Sequence, residues 1–508
     1  MINVSASPEK LIPVPSPLSV VSKRRLIILE SFTVLTLMAL TFWSVGPLLE
    51  EWDLFRAFNE HGLAYIQTFA PSIPMRPLHL TAYALQWFLG AGQPVGVALG
   101  TGLLMIIRYL VARWAVTPLL FGYDRWVVAV LAATLVFWPG VWLGRYGSAQ
   151  FSAILFFVAL GFSIRLYQRW STIWAIGCAV SVALMLAMYQ GLTLCLAAIP
   201  FASLVWGRIS DAKIAGSFSK FNNTIRICFA VGAGFVLYGT YWLVVSKMVG
   251  DTGYEGALVA DSARLFTAAG LWAHIEAAYK TAYGQEPQLL PLLLMMAFVL
   301  CKGSLEKLET PSSRIYAAGL VCFLVGLLPI LSMIYVSVLH IGDVDRVLFP
   351  VSAGFVLVCI SLLAHFGKDN SSNLALFNAS VVVVAVLTSS VLVAYGTRHY
   401  VQLQRSVIDQ TWSAVEKGNW TSVMIRDTTG TLGDVYTFLG PTLGEASTVL
   451  GRNLTASICT PLSVDRLHPV AHRFPIPTTP RCEELPVTPD STLVLTARRI
   501  NGVLMVGP

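Results

Sequence analysis

The residues with the clearest potential for chemistry form an acid-rich segment that follows the first long apolar stretch of the chain. This segment contains Glu50, Glu51, Asp53 and Arg56, interleaved with aromatic residues. If residues 50–61 are helical, Asp53 and Arg56 lie three residues apart on one face of that helix. A carboxylate held beside apolar rings at a membrane surface can act as a general base. The alternative is a solvated juxtamembrane helix that is anchored by its tryptophan.

Basic, acidic, hydroxyl and amide residues in four later segments form a second set of candidates. Pro77 fixes the backbone next to Arg76, and a fixed guanidinium suits a phosphate or another anionic group. Tyrosine and glutamine in very short loops suit sugar hydroxyls, as donor and acceptor. The alternatives are an interfacial arginine, a helix-capping glutamine beside an aromatic-belt tyrosine, and a surface ion pair. The candidates are Arg76, Arg145, Tyr189, Gln190, Asp345 and Arg346.

The amino-acid composition shows whether the chain folds in water or in a membrane. The 508 residues are 56% hydrophobic and only 12% charged, and the mean hydropathy is +0.68. An ordinary soluble domain is about 25% charged. This much apolar surface excludes a soluble enzyme, a disordered chain and a fibrous repeat, which leaves a membrane protein.

About eleven stretches are long and apolar enough to span a bilayer, since a spanning helix needs about 20 residues. The sequence therefore predicts an all-α polytopic membrane protein with a transmembrane domain over 26–396, an outer loop over 50–93 and a cytoplasmic tail over 1–25. The predicted spans are 26–49, 94–112, 126–142, 150–166, 172–188, 191–207, 226–246, 288–302, 315–337, 347–366 and 376–396.

Charge placement predicts the orientation of the spans. With the short stretch 77–90 treated as an interfacial or re-entrant helix, half of the 34 lysines and arginines fall on the cytoplasmic side, and acidic residues collect in the outer loops. This follows the positive-inside rule and explains the net charge of +7 without a nucleic-acid partner. We expect a multi-pass protein of the cytoplasmic membrane with its N-terminus inside the cell.

Residues 397–508 are predicted to form a small extracytoplasmic α/β domain. A helical pattern lies near 400–416, β-rich runs lie at 420–426 and 492–506, and Asn501-Gly502 is a turn signal. Cys459 and Cys482 lie outside the apolar runs. They are expected to form a disulfide in an oxidising compartment or to remain two free thiols.

The familiar nucleotide-binding and zinc motifs are missing from the sequence. Several acids close together provide hard oxygen ligands, which leaves a divalent metal open as a cofactor, but they are a weak metal signal. A transporter or flippase of lipid-linked glycans is the main alternative to an enzyme, although transporters more often place ionisable residues inside spans. A scaffold that uses residues 397–508 to bind a partner is a third hypothesis.

The motifs together resemble a known class of membrane enzymes. The run Trp52-Asp53-x-x-Arg56 after a first span, then Arg76-Pro77-Leu78 and about ten further spans, is similar to the GT-C glycosyltransferases. Within that class, the Arg-Pro-Leu run and the pair Tyr189-Gln190 most resemble the GtrII-like O-antigen glucosyltransferases, over roughly residues 26–350. That family has two adjacent aspartates where this chain has Trp52 and Asp53, so either Glu51 or Glu50 shares the role or one carboxylate suffices.

The resemblance implies transfer of a sugar, glucose or another hexose, from a polyprenyl phosphate carrier to a cell-envelope glycan or lipid-linked acceptor on the outer face of the membrane. A flippase and a carrier-charging synthase are the implied partners. Asp53 would be the general base, with Glu51 as its substitute. The remaining roles would be phosphate binding by Arg76 and Arg346, with Arg145 as a weaker candidate, and sugar or acceptor contact by Tyr189 and Gln190.

Overall fold

The structure is a computed structural model. It describes residues 20–48, 50–69, 74–116, 147–190, 196, 199–200, 203, 217–249, 372–418, 420–429, 432, 442–461, 480–483 and 491–508. Within these ranges the chain forms long apolar helices, a group of short helices near the start and a small sheet near the end.

The long helices are α1 (Val20–Ser44), α5 (Val95–Val116), α6 (Gly147–Gln168), α7 (Thr172–Met188), α8 (Ser217–Val249) and α9 (Ser372–Gly418). Helix α6 packs between α5 and α7, α8 packs on α7 and α6, and α1 packs on α9 and α5. At the contact between α5 and α6, Leu104 and Ile154 form a buried cluster with the small side chain of Ala82. Close approach of such helices is what apolar sequences with many small residues favour.

Three of the described helices are long and apolar enough to cross a membrane, namely Val95–Ala115, Gly147–Gln168 and Asn222–Met248. They correspond to the predicted spans 94–112, 150–166 and 226–246. The predicted span 172–188 is an apolar helix of 17 residues, and 26–49 overlaps α1. Helix α9 covers 376–396. The predicted spans 126–142, 288–302, 315–337 and 347–366 lie outside the described residues, as does most of 191–207, so eleven spans stay a prediction.

The short helices lie in the predicted outer loop. They are α2 (Glu50–His61), α3 (Ala64–Phe69) and α4 (Thr81–Leu89). Residues 50–61 are therefore helical, which is the condition under which Asp53 and Arg56 share one face. The apolar face of this helix places Leu54 and Phe58 against Leu80, which precedes α4, and against Tyr83 and Ala84 of α4, with three aromatic and aliphatic side chains at the margin of the cluster. Because this apolar face of α2 is buried, the charged residues on the opposite face point outward.

The described residues after 420, here called the C-terminal domain, contain a four-stranded sheet. The strands β1 (Ser422–Asp427), β2 (Thr455–Cys459), β3 (Thr492–Ile500) and β4 (Val503–Gly507) lie in the order β2-β1-β3-β4. Strand β1 is parallel to both β2 and β3, and α10 (Thr442–Val449) lies between β1 and β2 in the sequence. The crossover that a parallel pair requires is thus a helix.

Strands β3 and β4 form an antiparallel hairpin across the predicted Asn501-Gly502 turn. Both turn residues have positive φ, 52° and 79°, as a type I′ turn requires. Cys459 and Cys482 are joined in a disulfide, the first of the two expected alternatives. The predicted α/β composition of this region is confirmed for the described residues.

One helix connects the two parts of the molecule. Helix α9 has 47 residues and continues without a break across the predicted division at 396/397. Its C-terminal half contacts β4, where Gln410 accepts a hydrogen bond from the backbone of Val506 at 2.7 Å and donates one to the carbonyl of Leu504. Part of the free backbone edge of β4 is thereby hydrogen-bonded.

Candidate functional site

The charged face of α2 carries an ion-pair chain on Arg56. Its guanidinium Nη2 lies 2.8 Å from Asp53 Oδ1, and its Nη1 lies 3.0 Å from both carboxylate oxygens of Glu60. The three side chains stand at positions i, i+3 and i+7 of one helix face, which the sequence predicted for Asp53 and Arg56. The side chain of Asp53 is 40% exposed, so its carboxylate is held by Arg56 and still accessible.

The C-terminal domain packs directly on this helix. Helix α10 contacts α2, and Glu445 of α10 lies beside Asp53, with the two carboxyl groups within hydrogen-bonding reach. A second contact lies nearby, where the indole Nε1 of Trp52 donates to Gln404 Oε1 at 2.8 Å across 352 residues of sequence. Both partners of this second bond are buried.

This packing changes the acid–base behaviour of two side chains. Burial, followed by the charge of Asp53 and the hydrogen bond to it, raises the pKa of Glu445 to about 7, while Arg56 opposes the shift. Burial also raises the pKa of Tyr65 to about 12, and the negative charges of Asp53 and Glu445 add to that effect. A carboxyl that titrates near neutral pH beside an accessible carboxylate is typical of acid–base sites.

A second polar group, here named the arginine cluster, consists of Arg76, Tyr189, Gln190, Tyr238 and the carbonyl of Met75. Gln190 accepts a hydrogen bond from Arg76 Nε at 2.9 Å and donates to the Met75 carbonyl at 2.8 Å. The hydroxyl of Tyr238 donates to the same carbonyl at 2.7 Å and is also bonded to Gln190. The guanidinium of Arg76 lies 5.4 Å from the centre of the Tyr189 ring.

The arginine cluster draws on three separate parts of the chain. Arg76 lies before α4, Tyr189 and Gln190 follow the end of α7, and Tyr238 is on α8. Leu78 donates its backbone N–H to the carbonyl of Ala187 at 3.3 Å, which fixes the Arg76 segment to the end of α7. The result is a guanidinium held in one place by a glutamine and an aromatic face, an arrangement suited to binding phosphate oxygens.

The remaining predicted site residues differ in their placement. Glu51 is buried, and its carboxylate accepts a hydrogen bond from the backbone N–H of Leu48 at 2.6 Å. It thereby binds a donor at the start of α2, and its catalytic role stays a prediction. Glu50 is the first residue of α2. Arg145, Asp345 and Arg346 lie outside the described residues.

Sequence reasoning missed three residues of this region. Glu445 and Gln404 are brought to α2 by the folding of the C-terminal domain, and no motif in their own segments signals this. Tyr238 lies within an apolar span, and its only sequence signal is a hydroxyl-bearing ring in otherwise aliphatic surroundings.

The sequence left open a divalent metal ion bound by the acid-rich segment of α2. Among the described residues, no three histidine, cysteine, aspartate or glutamate side chains converge in a way that could hold a metal ion.

Comparison with known proteins gives few matches. No protein-family model and no curated protein matches the sequence. A similar solved structure is the Archaeoglobus fulgidus oligosaccharyltransferase in complex with zinc and sulfate. It is 12% identical, with a TM-score of 0.42, and the match covers 84% of this chain and 62% of that one.

Proposed function

We propose that this protein is a membrane glycosyltransferase of the GT-C kind. It would move a hexose from a polyprenyl phosphate carrier to a glycan or lipid-linked acceptor outside the cytoplasmic membrane. The motif resemblance supports this assignment, and the observation that carries it is the arginine cluster, in which one guanidinium is fixed by Gln190 at 2.9 Å. Transfer from a phosphate carrier needs fixed positive charge where the leaving group departs.

The proposed step uses the two polar groups for different tasks. The acceptor hydroxyl oxygen forms a bond to the anomeric carbon of the donor sugar, and the bond from that carbon to the phosphate oxygen breaks. The phosphate keeps the electron pair and is stabilised by Arg76, while the hydroxyl proton passes to Asp53 as general base. Tyr189 would then offer its ring and hydroxyl to the sugar.

Arg56 has a defined role in this proposal. It binds Asp53 Oδ1 at 2.8 Å and would hold the carboxylate in one orientation on the charged face of α2. Glu60 shares the same guanidinium and is the more exposed of the two acids. Arg145, Asp345 and Arg346 stay candidates for further donor contacts.

One observation favours a second function, transport. Arg108 is wholly buried on α5, and Arg113 of the same helix is paired with Glu30 of α1 at 2.7 Å. Ionisable residues within spanning helices often mark substrate or ion paths. The alternative is therefore a transporter or flippase of lipid-linked glycans.

The experiment that separates these functions uses purified protein reconstituted in vesicles with synthetic polyprenyl phosphate sugars carrying radiolabel in the sugar. Several hexoses and both lipid-linked and free glycan acceptors should be supplied. Label recovered on an acceptor supports the glycosyltransferase. Label that crosses the membrane while still attached to its carrier would instead support the transporter and overturn the proposal.

A further inference from the structure

The C-terminal domain contributes one ionisable side chain to the charged face of α2. Helix α10 packs on α2, and this packing brings the carboxyl group of Glu445 within hydrogen-bonding reach of that of Asp53. Two ionised carboxylates are both acceptors, so a hydrogen bond between them requires a proton on one of the pair. We name Asp53 and Glu445 the carboxyl pair.

The surroundings indicate which member holds the proton. Arg56 Nη2 lies 2.8 Å from Asp53 Oδ1, so the guanidinium is paired with Asp53. Burial, followed by the charge of Asp53, raises the pKa of Glu445 to about 7. Glu445 is therefore the donor of the pair below neutral pH, and the carboxylate of Asp53 is held between a guanidinium and a carboxylic acid.

We propose that Glu445 is a positioning residue for Asp53, and that through it the C-terminal domain completes the candidate site. This inference rests on the function proposed above. A carboxylate held by donors from two different elements has a fixed orientation, and a general base depends on such orientation toward the proton that it removes. The C-terminal domain is in this account part of the catalytic machinery.

The groups that face Glu445 are few in the described part of the chain. Asp53 and Arg56 lie on α2, and Tyr65 lies on α3. Strand β2 also packs on α10, and its Cys459 is disulfide-bonded. On α9, Trp412 donates to Ser447 of α10, and Glu416 is paired with Arg452. Burial, the charge of Asp53 and the charge of Arg56 are thus the main influences on the pKa of Glu445.

The sign of the pH dependence follows from this arrangement. As pH rises through about 7, Glu445 loses its proton and with it the ability to donate to Asp53. Two adjacent negative charges then repel each other and disturb the base. Sugar transfer by the unmodified protein should therefore fall about tenfold between pH ~6 and pH ~8, the range over which a group of pKa near 7 goes from mostly protonated to mostly ionised.

The test compares the pH profile of sugar transfer in the full-length protein with that of three variants. Glu445→Gln supplies an amide that donates at every pH, so its rate should stay within about threefold of the unmodified protein at pH ~6 and should not fall toward pH ~8. Glu445→Ala lacks a donor and should be about tenfold slower at pH ~6, with a flat profile. Glu416→Gln, an exposed glutamate of α9, is the control and should retain the original profile.

A purely structural role for Glu445 predicts a different result. In that case Glu445→Gln would keep the fall between pH ~6 and pH ~8, which would overturn the inference. Infrared difference spectra of the purified protein between these two pH values give a readout that does not depend on activity. A protonated carboxyl band that disappears toward high pH should be present in the unmodified protein and missing in Glu445→Gln.

The two proposals can fail separately. If the unmodified protein transfers no sugar at any pH but the infrared band behaves as described, the proposed function fails and the carboxyl pair stands. If transfer occurs but the band and the pH profile are unchanged in Glu445→Gln, the positioning role is wrong and the function stands.

Discussion

The charged face of α2 and the arginine cluster are built in opposite ways. On α2, Asp53, Arg56 and Glu60 are neighbours on one helix and all are more than 30% exposed. In the arginine cluster, Arg76 is fixed by Gln190, which is 114 residues away in sequence, and by bonds that reach Tyr238 on another helix. The first region is a local arrangement at the surface, and the second is a tertiary arrangement between helix ends.

This difference suggests a division of labour. A half-exposed carboxylate can meet an incoming acceptor hydroxyl, whereas a guanidinium held by several elements can bind a phosphate without reorganising. The apolar face of α2 packs on α4, and α4 begins shortly after Arg76, so the two regions share one structural support. Substitutions in each region should therefore affect different steps.

Asp53→Asn should have the largest effect, because it removes the proposed base while keeping its shape. We expect sugar transfer to fall by about 10²- to 10⁴-fold, with membrane insertion and expression unchanged. The rate of label transfer from a polyprenyl phosphate sugar measures this. Asp409→Asn, the same change at an exposed position on α9, is the matched control. Full activity in Asp53→Asn would remove Asp53 from the chemistry.

Arg76→Ala should have the next largest effect. Loss of a fixed donor to the leaving phosphate is expected to reduce kcat/KM by about 10²- to 10³-fold. Arg405→Ala, at an exposed arginine of α9, should leave kcat/KM unchanged. Equal rates for the Arg76 and Arg405 variants would show that the arginine cluster does not contact the donor.

The support of the arginine cluster can be tested separately. Gln190→Leu removes the bond to Arg76 and should lower transfer about tenfold, as expected when a hydrogen bond to a charged group is lost. Tyr238→Phe removes one bond to the Met75 carbonyl, worth about 1 kcal/mol, and should lower transfer about fivefold. Tyr395→Phe, at an exposed tyrosine, is the control. An unchanged rate in both cluster variants would contradict the account.

The amount that sequence could predict differs between the two regions for a physical reason. Helical spacing alone places Asp53 and Arg56 together, and the ion pair at 2.8 Å confirms it. The β-runs and the Asn501-Gly502 turn were also predictable, since alternation and turn chemistry are local. The carboxyl pair was not, because Glu445 reaches α2 only through the packing of a whole domain.

The arginine cluster lies between these cases. The residue types at Arg76 and at Tyr189-Gln190 indicated polar chemistry at the membrane surface, yet spacing along the chain could not show that they meet. Their contact depends on how α7 ends against the segment before α4, as the bond from Leu78 to the Ala187 carbonyl shows. The contribution of Tyr238 could not be predicted, because the apolar pattern of a span does not show which side of the helix faces a neighbouring segment.

The smallest predicted effect concerns docking of the C-terminal domain. Gln404→Leu leaves the buried indole N–H of Trp52 without its acceptor and should reduce stability by about 1 kcal/mol. The thermal midpoint of the purified protein measures this, with the exposed Gln402→Leu as control. If the midpoint does not change, the contact between Trp52 and Gln404 contributes little to docking.

Binding of the donor tests the central claim most directly, because it separates holding the phosphate from removing the proton. Equilibrium binding of a radiolabelled polyprenyl phosphate sugar should be measured for the unmodified protein, Asp53→Asn and Arg76→Ala. The account predicts that Asp53→Asn binds as tightly as the unmodified protein and that Arg76→Ala binds at least about tenfold more weakly. Normal binding by Arg76→Ala together with lost binding by Asp53→Asn would contradict it.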